Sequence, residues 1–256
     1  MSFIQTALLG AIAGFTIYLG LPVGRVKHLP DKVRSFLAMT SAGILIFLFF
    51  DIFAQLSTPI EAALGDRRFP EFGLLVGVFV VGFGIGLLAL IAFERRIIRG
   101  GLAQALSPSR LALLIAAGIG LHNFSEGLAI GQSAGSGELA FAAILIIGFA
   151  LHNATEGFGI VGPMVGKERP SWAFLGLAGL IGGGPTFLGT MVGYYIISEA
   201  MSVMFLALAA GALVYIIGEM FAQNWRSAIK VPAAWGILAG FIFAYFTDLI
   251  LVSIGV

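Results

Sequence analysis

Long apolar runs, separated by short polar segments, recur along the whole chain of 256 residues. Each run is close to the roughly 20 residues that an α-helix needs to cross about 30 Å of hydrocarbon. The pattern predicts an all-α, polytopic membrane protein, with residues 1–256 forming a single transmembrane domain. Its eight predicted helices lie at about residues 2–22, 33–56, 71–93, 109–133, 138–164, 171–198, 200–223 and 231–254.

Prolines and glycines occur within and at the ends of the predicted helices. The second helix is predicted to end before Thr58 and Pro59. In the sixth helix, Gly182-Gly183-Gly184-Pro185 predicts either a break that frees carbonyl groups to face a cavity or a packed kink. Glycines also recur at helical spacing over 73–77, 82–86 and 236–240. They predict close helix packing, with a sliding surface for a moving bundle as the alternative.

Composition agrees with a membrane protein. Apolar residues make up 59% of the chain and charged residues 11%, whereas soluble domains carry about 25% charged residues. The absence of cysteine excludes disulfides, thiolate metal sites and cysteine nucleophiles. The first 22 residues lack a basic segment and a small-residue cleavage site, so they predict a first membrane helix and no cleavable signal.

The basic residues predict the orientation. Twelve of the fourteen lie in alternate loops of the predicted topology. The rule that cytoplasmic loops are enriched in Lys and Arg then places both termini outside the cytoplasm, in a multi-pass protein of the plasma (cell) membrane. The twelve are Arg25, Lys27, Lys32, Arg34, Arg95, Arg96, Arg99, Arg110, Lys167, Arg169, Arg226 and Lys230, and only Arg67 and Arg68 lie on the other side.

Two matched polar motifs lie near the middle of the fourth and fifth helices. Residues 121–127 read Leu-His-Asn-Phe-Ser-Glu-Gly, and residues 151–157 read Leu-His-Asn-Ala-Thr-Glu-Gly. Hydrophobic repetition does not explain them, because the matched positions are polar. In each helix the His and the Glu are four residues apart and so share one face. Two consecutive antiparallel helices therefore present imidazole and carboxylate groups at the same depth.

These motifs predict a mid-membrane metal site. Ionisable side chains inside a span are costly and are usually functional. The predicted ligands are His122, Glu126, His152 and Glu156, with Asn123 and Asn153 as weak ligands or as partners that orient the ligands. Two nitrogens and two oxygens suit zinc, iron, manganese and similar ions better than magnesium or calcium. The alternative is a pair of buried His–Glu hydrogen bonds without metal.

Other polar residues within the spans are candidates for a pathway. Asp51 and Gln55 share a face of the second helix, where a role in metal access or release competes with a purely structural one. Glu219, four residues after Tyr215, lines the same cavity or simply lies near the end of the seventh helix. Asp248 lies close to the outer end of the eighth helix and is the weakest candidate.

The chain resembles the ZIP (Zrt/Irt-like) family of divalent metal transporters. The family motif His-Asn-Phe-x-Asp/Glu-Gly matches residues 122–127, and a related motif resembles residues 152–157. The segment from Ala210 to Glu219 also looks like the family. The resemblance implies eight helices with both termini outside and transport towards the cytoplasm. It also implies an elevator-like motion of the four central helices, and a two-metal centre whose second site uses both asparagines with the shared glutamates.

Several positions depart from the family pattern. Ser125 and Thr155 replace the proline that commonly precedes the motif acid, and their hydroxyls are expected to bond to the preceding turn. Gly184 replaces an acid before the sixth-helix proline. Residues 51–55 replace His-x-x-Pro-Glu, and residues 94–109 contain no histidine. With Asn153 neutral as well, we expect one well-bound ion and a second site that is weak or absent.

The sequence therefore predicts a transporter of zinc, iron, manganese, cadmium or a similar ion, with no enzymatic activity and no organic cofactor. Expected partners are the lipid bilayer and the metal ions, with no nucleic acid, and a homodimer is left open. An intramembrane hydrolase is the first alternative, but the general-base position of His-Glu-x-x-His is here Asn123 or Asn153. A non-transporting metal-binding homologue is the second alternative.

Overall fold

A computed structural model describes residues 2–27, 29–98, 107–135, 137, 139–196, 198–224 and 230–253. Within these ranges, the side chains of 93–98, 139–141, 143–145, 148, 151–152, 223–224 and 250–253 are not described. The described part contains eight α-helices and no strand, as the sequence predicted. They are α1 Phe3–Phe15, α2 Asp31–Gly65, α3 Phe69–Ile98, α4 Pro108–Gly135, α5 Leu139–Val161, α6 Trp172–Gly193, α7 Glu199–Asn224 and α8 Lys230–Ser253.

The helices have the length and composition of membrane spans. Seven helical segments in the described part are long and apolar enough to cross a bilayer. The first of them, Phe3–Arg25, continues α1 through two short 3₁₀ turns, Thr16–Leu19 and Leu21–Arg25. Many large apolar side chains on α3 and α8 are exposed on the outer surface. These features are consistent with a polytopic membrane protein.

Two helices continue through prolines that were expected to interrupt them. The prediction that the second helix ends before Thr58 is wrong, because α2 runs through Pro59 to Gly65. The Thr58 hydroxyl donates to the Ala54 carbonyl at 3.1 Å, within the same helix. Of the two alternatives for the sixth helix, the break is excluded, because α6 is continuous across Pro185.

The helices pack as two bundles. The helices α1, α4, α5 and α6 contact one another extensively, and we call them the site bundle. The helices α2, α3, α7 and α8 form the flanking bundle. The two bundles meet mainly where α4 packs on α7 and where α5 packs on α2 and α8. The resemblance implied a moving group of four central helices, and the four helices of the site bundle are α1, α4, α5 and α6.

Close glycine contacts set the register within each bundle. A Cβ at Gly86 would collide with the Leu208 carbonyl, and one at Gly240 would collide with the Thr40 carbonyl. Close packing is thus confirmed for the glycines at 82, 86, 236 and 240. It is wrong for Gly73 and Gly77, whose Cβ positions have no neighbour within 4 Å among the atoms described.

The same contacts pair the helices in the pattern expected of an inverted repeat. A Cβ at Gly43 of α2 would meet the Ile237 carbonyl of α8, and a Cβ at Gly211 of α7 would meet the Phe83 carbonyl of α3. The pair α2–α8 is therefore equivalent to the pair α7–α3. Because equivalent helices are separated by an odd number of hairpin turns along the chain, they run in opposite directions.

The site bundle obeys the same relation. A Cβ at Gly127 of α4 would meet the Thr186 carbonyl of α6, and a Cβ at Gly157 of α5 would meet the Ile17 carbonyl of the first segment. The helices α4 and α5 are thus equivalent, as are α1 and α6. The two sequence motifs occupy the equivalent positions on α4 and α5.

Candidate metal centre

The polar motif residues lie deep in the site bundle. His122 is 1% exposed and Glu126 is 4% exposed, while Asn123, Asn153 and Glu156 are fully buried. Glycines on either side of the motifs allow this burial, since they bring the backbones of α4 and α6 and of α5 and α1 into direct contact. The sequence prediction that these residues lie inside the protein is confirmed for these five side chains.

His122 and two carboxylates form the described centre of this cluster. The Nε2 atom of His122 lies 3.3 Å from Oε1 of Glu126, as the spacing of four residues predicts. Electrostatic interactions link His122 to Glu156, and Glu156 to Glu126. The structure thus brings one imidazole and two carboxylates from two helices into a single buried region.

The two asparagines are held by reciprocal hydrogen bonds. Asn123 Nδ2 donates to the Gly182 carbonyl of α6 at 3.0 Å, and Asn153 Nδ2 donates to the Ala13 carbonyl of α1 at 3.1 Å. Each amide also lies beside the carboxylate of the other motif helix, Asn123 beside Glu156 and Asn153 beside Glu126. The asparagines therefore tie the motif helices to α1 and α6.

Both asparagines keep an oxygen available. The Oδ1 atoms of Asn123 and Asn153 are buried and accept no hydrogen bond from the described residues, and the same holds for Oε2 of Glu126. Buried oxygens without donors are costly in an apolar interior. A cation would satisfy these oxygens and would also offset the repulsion between the two carboxylates.

His152 is the predicted ligand about which the structure says least. It lies in α5 one turn before Glu156, and its side chain is outside the described set. Among the side chains that are described, no group of three or more His, Asp or Glu residues is arranged to hold a metal ion. The set of four ligands therefore stays a prediction.

Ser125 does not behave as its sequence context suggested. Its hydroxyl was expected to bond to the preceding turn, but Ser125 Oγ is buried without a hydrogen-bond partner among the described atoms. The expectation is wrong because the hydroxyl of a helical serine can rotate away from the preceding carbonyl. Its oxygen is therefore one more buried oxygen without a hydrogen bond from the described atoms, one residue before Glu126 in α4.

Asp51 joins the cluster from the flanking bundle. Electrostatic interactions couple it to His122, Glu126 and Glu156. Gln55 Nε2 donates to Asp51 Oδ2 at 2.8 Å, as expected for two residues on one helix face. Asp248 of α8 is also within electrostatic range of Asp51. Asp51 is therefore within electrostatic range of both the motif residues and Asp248.

Glu219 is the equivalent of Asp51 in the inverted repeat. Residues 51–55 read Asp-Ile-Phe-Ala-Gln and residues 219–223 read Glu-Met-Phe-Ala-Gln, on the equivalent helices α2 and α7. Sequence reasoning singled out Glu219 but missed both the match and Gln223. Comparing the second and seventh helices directly would have found the match, since three of the five positions are identical, one is acidic in both and one is apolar in both.

Comparison with known proteins relates part of the chain to metal transporters. No family model matches the chain. It is 33% identical over 142 residues to a zinc transporter, GufA of Myxococcus xanthus. The match covers 54% of this chain and 55% of the relative, so the chain spans about half the length of the curated protein that it matches. The similarity supports a relationship to metal transporters.

Proposed function

We propose that the chain is a divalent transition-metal transporter of the ZIP type, with zinc as the first candidate substrate. The observation that carries the proposal is the burial of His122, Glu126 and Glu156 together, on the matched motifs of α4 and α5. The similarity to a zinc transporter supports the same conclusion. A buried set of this composition favours transition metals over magnesium or calcium.

The proposed substrate site consists of His122, Glu126, His152 and Glu156. The carboxylates supply negative charge to the ion in a low-dielectric interior, and the imidazoles supply neutral nitrogen. Asn123 and Asn153 hold the motif helices in register through their bonds to the Gly182 and Ala13 carbonyls, with Oδ1 as an additional neutral ligand.

The proposed route uses the equivalent acids of the flanking bundle. Asp51, with Gln55, attracts the ion on one side of the site, where its coupling to His122 supports a position close to the ligands. Glu219 takes the corresponding place on the other side, since α2 and α7 are related by the inverted repeat. Many secondary transporters place a mid-membrane substrate site between such repeats.

The proposed topology has eight spans with both termini outside the cytoplasm, in the plasma membrane. The loop between α2 and α3, which this topology places outside, supports it. Arg68 of this loop lies 3.4 Å from Asp66 and is paired with Glu71, and these acids offset much of the loop's positive charge. With this orientation, an inside-negative potential favours inward movement of a divalent ion by about 4–5 kcal/mol per 100 mV.

The transport step in this proposal is a shift of the site bundle against the flanking bundle. All four proposed ligands belong to the site bundle, whereas Asp51 and Glu219 belong to the flanking bundle. Movement of one bundle therefore carries the ion from one acid towards the other. Contacts inside each bundle are close and dominated by glycine, which supports treating each bundle as one body.

A liposome flux assay tests the proposal. Purified protein should carry Zn²⁺, Fe²⁺, Mn²⁺ or Cd²⁺ into dye-loaded vesicles, and competition among these ions should rank them. Bound metal without flux of any of them would exclude a transporter and favour a metal-binding homologue. Peptide hydrolysis without flux would favour the intramembrane hydrolase.

A further inference from the structure

A cavity lies at the interface of the two bundles, on the side of α5. It has a volume of about 410 Å³. The turns after α1 line it with Leu19 and Gly20, the site bundle with Ala154, Thr155 and Phe158, and the flanking bundle with Thr40 and Phe243. The cavity is therefore a gap between the bodies that the proposed transport step moves, next to the motif of α5.

The lining favours a hydrocarbon occupant. None of the residues that line the cavity carries a charge. The hydroxyl of Thr40 already donates to the Phe36 carbonyl at 2.9 Å. A ligand with a charged or strongly polar group would lose its hydration without gaining a partner of opposite charge. Apolar cavities of protein interiors instead take apolar guests.

The cavity opens towards the surroundings of the protein. Leu19 is 73% exposed and Phe243 is 51% exposed, and both belong to the apolar spans. In the proposed membrane orientation, the surroundings at this depth are acyl chains. An acyl chain can therefore enter from the side without leaving the hydrocarbon of the bilayer.

In the other half of the inverted repeat, an aromatic side chain fills the space that is equivalent to this cavity. Ala154 is equivalent to Phe124, and Thr40 is equivalent to Leu208. Between α4 and α7, the Phe124 ring packs on the Phe205 ring with their centroids 4.2 Å apart. On one side of the molecule an aromatic side chain thus fills the interface, and on the other side the small Ala154 leaves it open.

We infer that this cavity binds one acyl chain of a bilayer phospholipid, which takes the place that Phe124 occupies in the other half of the repeat. The chain would contact both bundles at once, through Ala154 and Phe158 on one wall and Phe243 on the other. The inference rests on the proposed membrane orientation but not on transport. Its test measures binding without flux, so its failure and the failure of the proposed function are distinguishable.

Photolabelling tests the inference. The full chain is placed in nanodiscs containing phosphatidylcholine with a diazirine in the middle of one acyl chain, irradiated, and mapped by mass spectrometry. We expect adducts concentrated at Leu19 and at 154–158, above the level at Val80 and Leu88. Those two apolar side chains on α3 are about as exposed, at 60% and 61%. Equal labelling at all of these positions would overturn the inference.

Two substitutions sharpen the test. Ala154→Phe should abolish the adducts at 154–158, whereas Ala92→Phe on the exposed surface of α3 should leave them unchanged. Phe124→Ala should create the equivalent space and add labelling between α4 and α7. Retention of the adducts in Ala154→Phe would contradict the proposal. If that variant does not fold, the wild-type labelling map decides alone.

Discussion

The two buried glutamates carry the proposed metal site. Glu126→Gln and Glu156→Gln keep the size of the side chain but remove a charge that opposes the charge of the ion. We expect each to weaken Zn²⁺ binding by at least about tenfold, since even residues that only orient a ligand contribute 10–100-fold. Isothermal titration in detergent measures the effect.

Glu61 provides the matched control for these substitutions. It is an exposed glutamate near the end of α2. Glu61→Gln should leave Zn²⁺ affinity unchanged. Equal losses in all three variants would mean that overall charge, and not the motif carboxylates, determines metal binding.

Asn153 is the residue at which the family resemblance implies that the proposed second site has lost charge. We expect wild-type protein to bind one Zn²⁺, and Asn153→Asp to bind a second one. The aspartate can no longer donate to the Ala13 carbonyl, so thermal stability should fall by about 1 kcal/mol. Stoichiometry from mass spectrometry and melting from fluorescence measure the two effects. A stoichiometry that stays at one would contradict the idea that charge limits the second site.

At the scale of single residues, the sequence identified the residues of the candidate site better than it identified their hydrogen-bonding and electrostatic partners. The spacing of His122 and Glu126 predicted their contact, because it depends only on the geometry of one helix. The bonds from Asn123 and Asn153 to backbone carbonyls were not predictable, since their acceptors lie on α6 and α1 and carry no side-chain signal. Asp51 was selected for its depth in α2, but its coupling to the motifs requires the packing of two bundles.

Two glycines within one turn of α3 differ in whether they pack against another helix. Gly86→Ala places a methyl group against the Leu208 carbonyl, so we expect α3 and α7 to separate and stability to fall by about 1–3 kcal/mol. Gly84 lies on the same helix with no neighbour within 4 Å of its Cβ position among the atoms described. Gly84→Ala should leave the melting temperature unchanged or raise it.

Thermal unfolding of the two variants, followed by size-exclusion chromatography, checks this prediction. Equal melting temperatures would show that α3 and α7 have room to move apart at this point. The comparison also explains why glycine spacing alone misled at Gly73 and Gly77. Spacing places glycines on one face, but it does not say whether another helix or lipid covers that face.

Helix ends were the least predictable elements. Pro59 has no N–H and indicated an end, but α2 continues to Gly65 for a total of 35 residues. At 1.5 Å per residue it is about 50 Å long, well beyond the hydrocarbon thickness. The helix therefore continues despite the low helix propensity of proline. The polar residues that follow Pro59 did not mark the end of α2.

On the scale of the whole molecule, the proposed transport step requires the bundles to move. The rings of Phe124 and Phe205 connect α4 to α7 and thus one bundle to the other. The chain contains no cysteine, so Phe124→Cys with Phe205→Cys can be joined by a short bifunctional thiol reagent. We expect the cross-link to stop Zn²⁺ flux, measured in liposomes before and after reaction.

A pair within one bundle supplies the control. Phe47 of α2 and Phe241 of α8 have ring centroids 5.6 Å apart, both in the flanking bundle. Cross-linking cysteines at these positions should leave flux intact, and the single-cysteine variants should be insensitive to the reagent. Flux that persists through the Phe124–Phe205 cross-link would contradict a relative movement of the bundles.

The sequence predicted the helical class and the central motifs, but not the arrangement of the helices. The lengths of the apolar runs predicted the number of long helices closely, because a run that spans the membrane must match the thickness of the bilayer. The assignment of α1 to the site bundle depends on contacts such as that between Gly14 and Gly183. Such pairs join distant segments, and neither glycine identifies its partner.

The inverted repeat has a further consequence for the energetics of the molecule. If the two halves were identical in sequence, exchanging their conformations would give a molecule facing the other way at the same free energy. Each substitution that distinguishes the halves, such as Phe124 against Ala154 or Asp51 against Glu219, then contributes to the difference between the two states. A difference of only about 1.4 kcal/mol changes their ratio tenfold. In the proposed transport step, any preference for one of the two states therefore depends on the positions where the two halves differ in sequence.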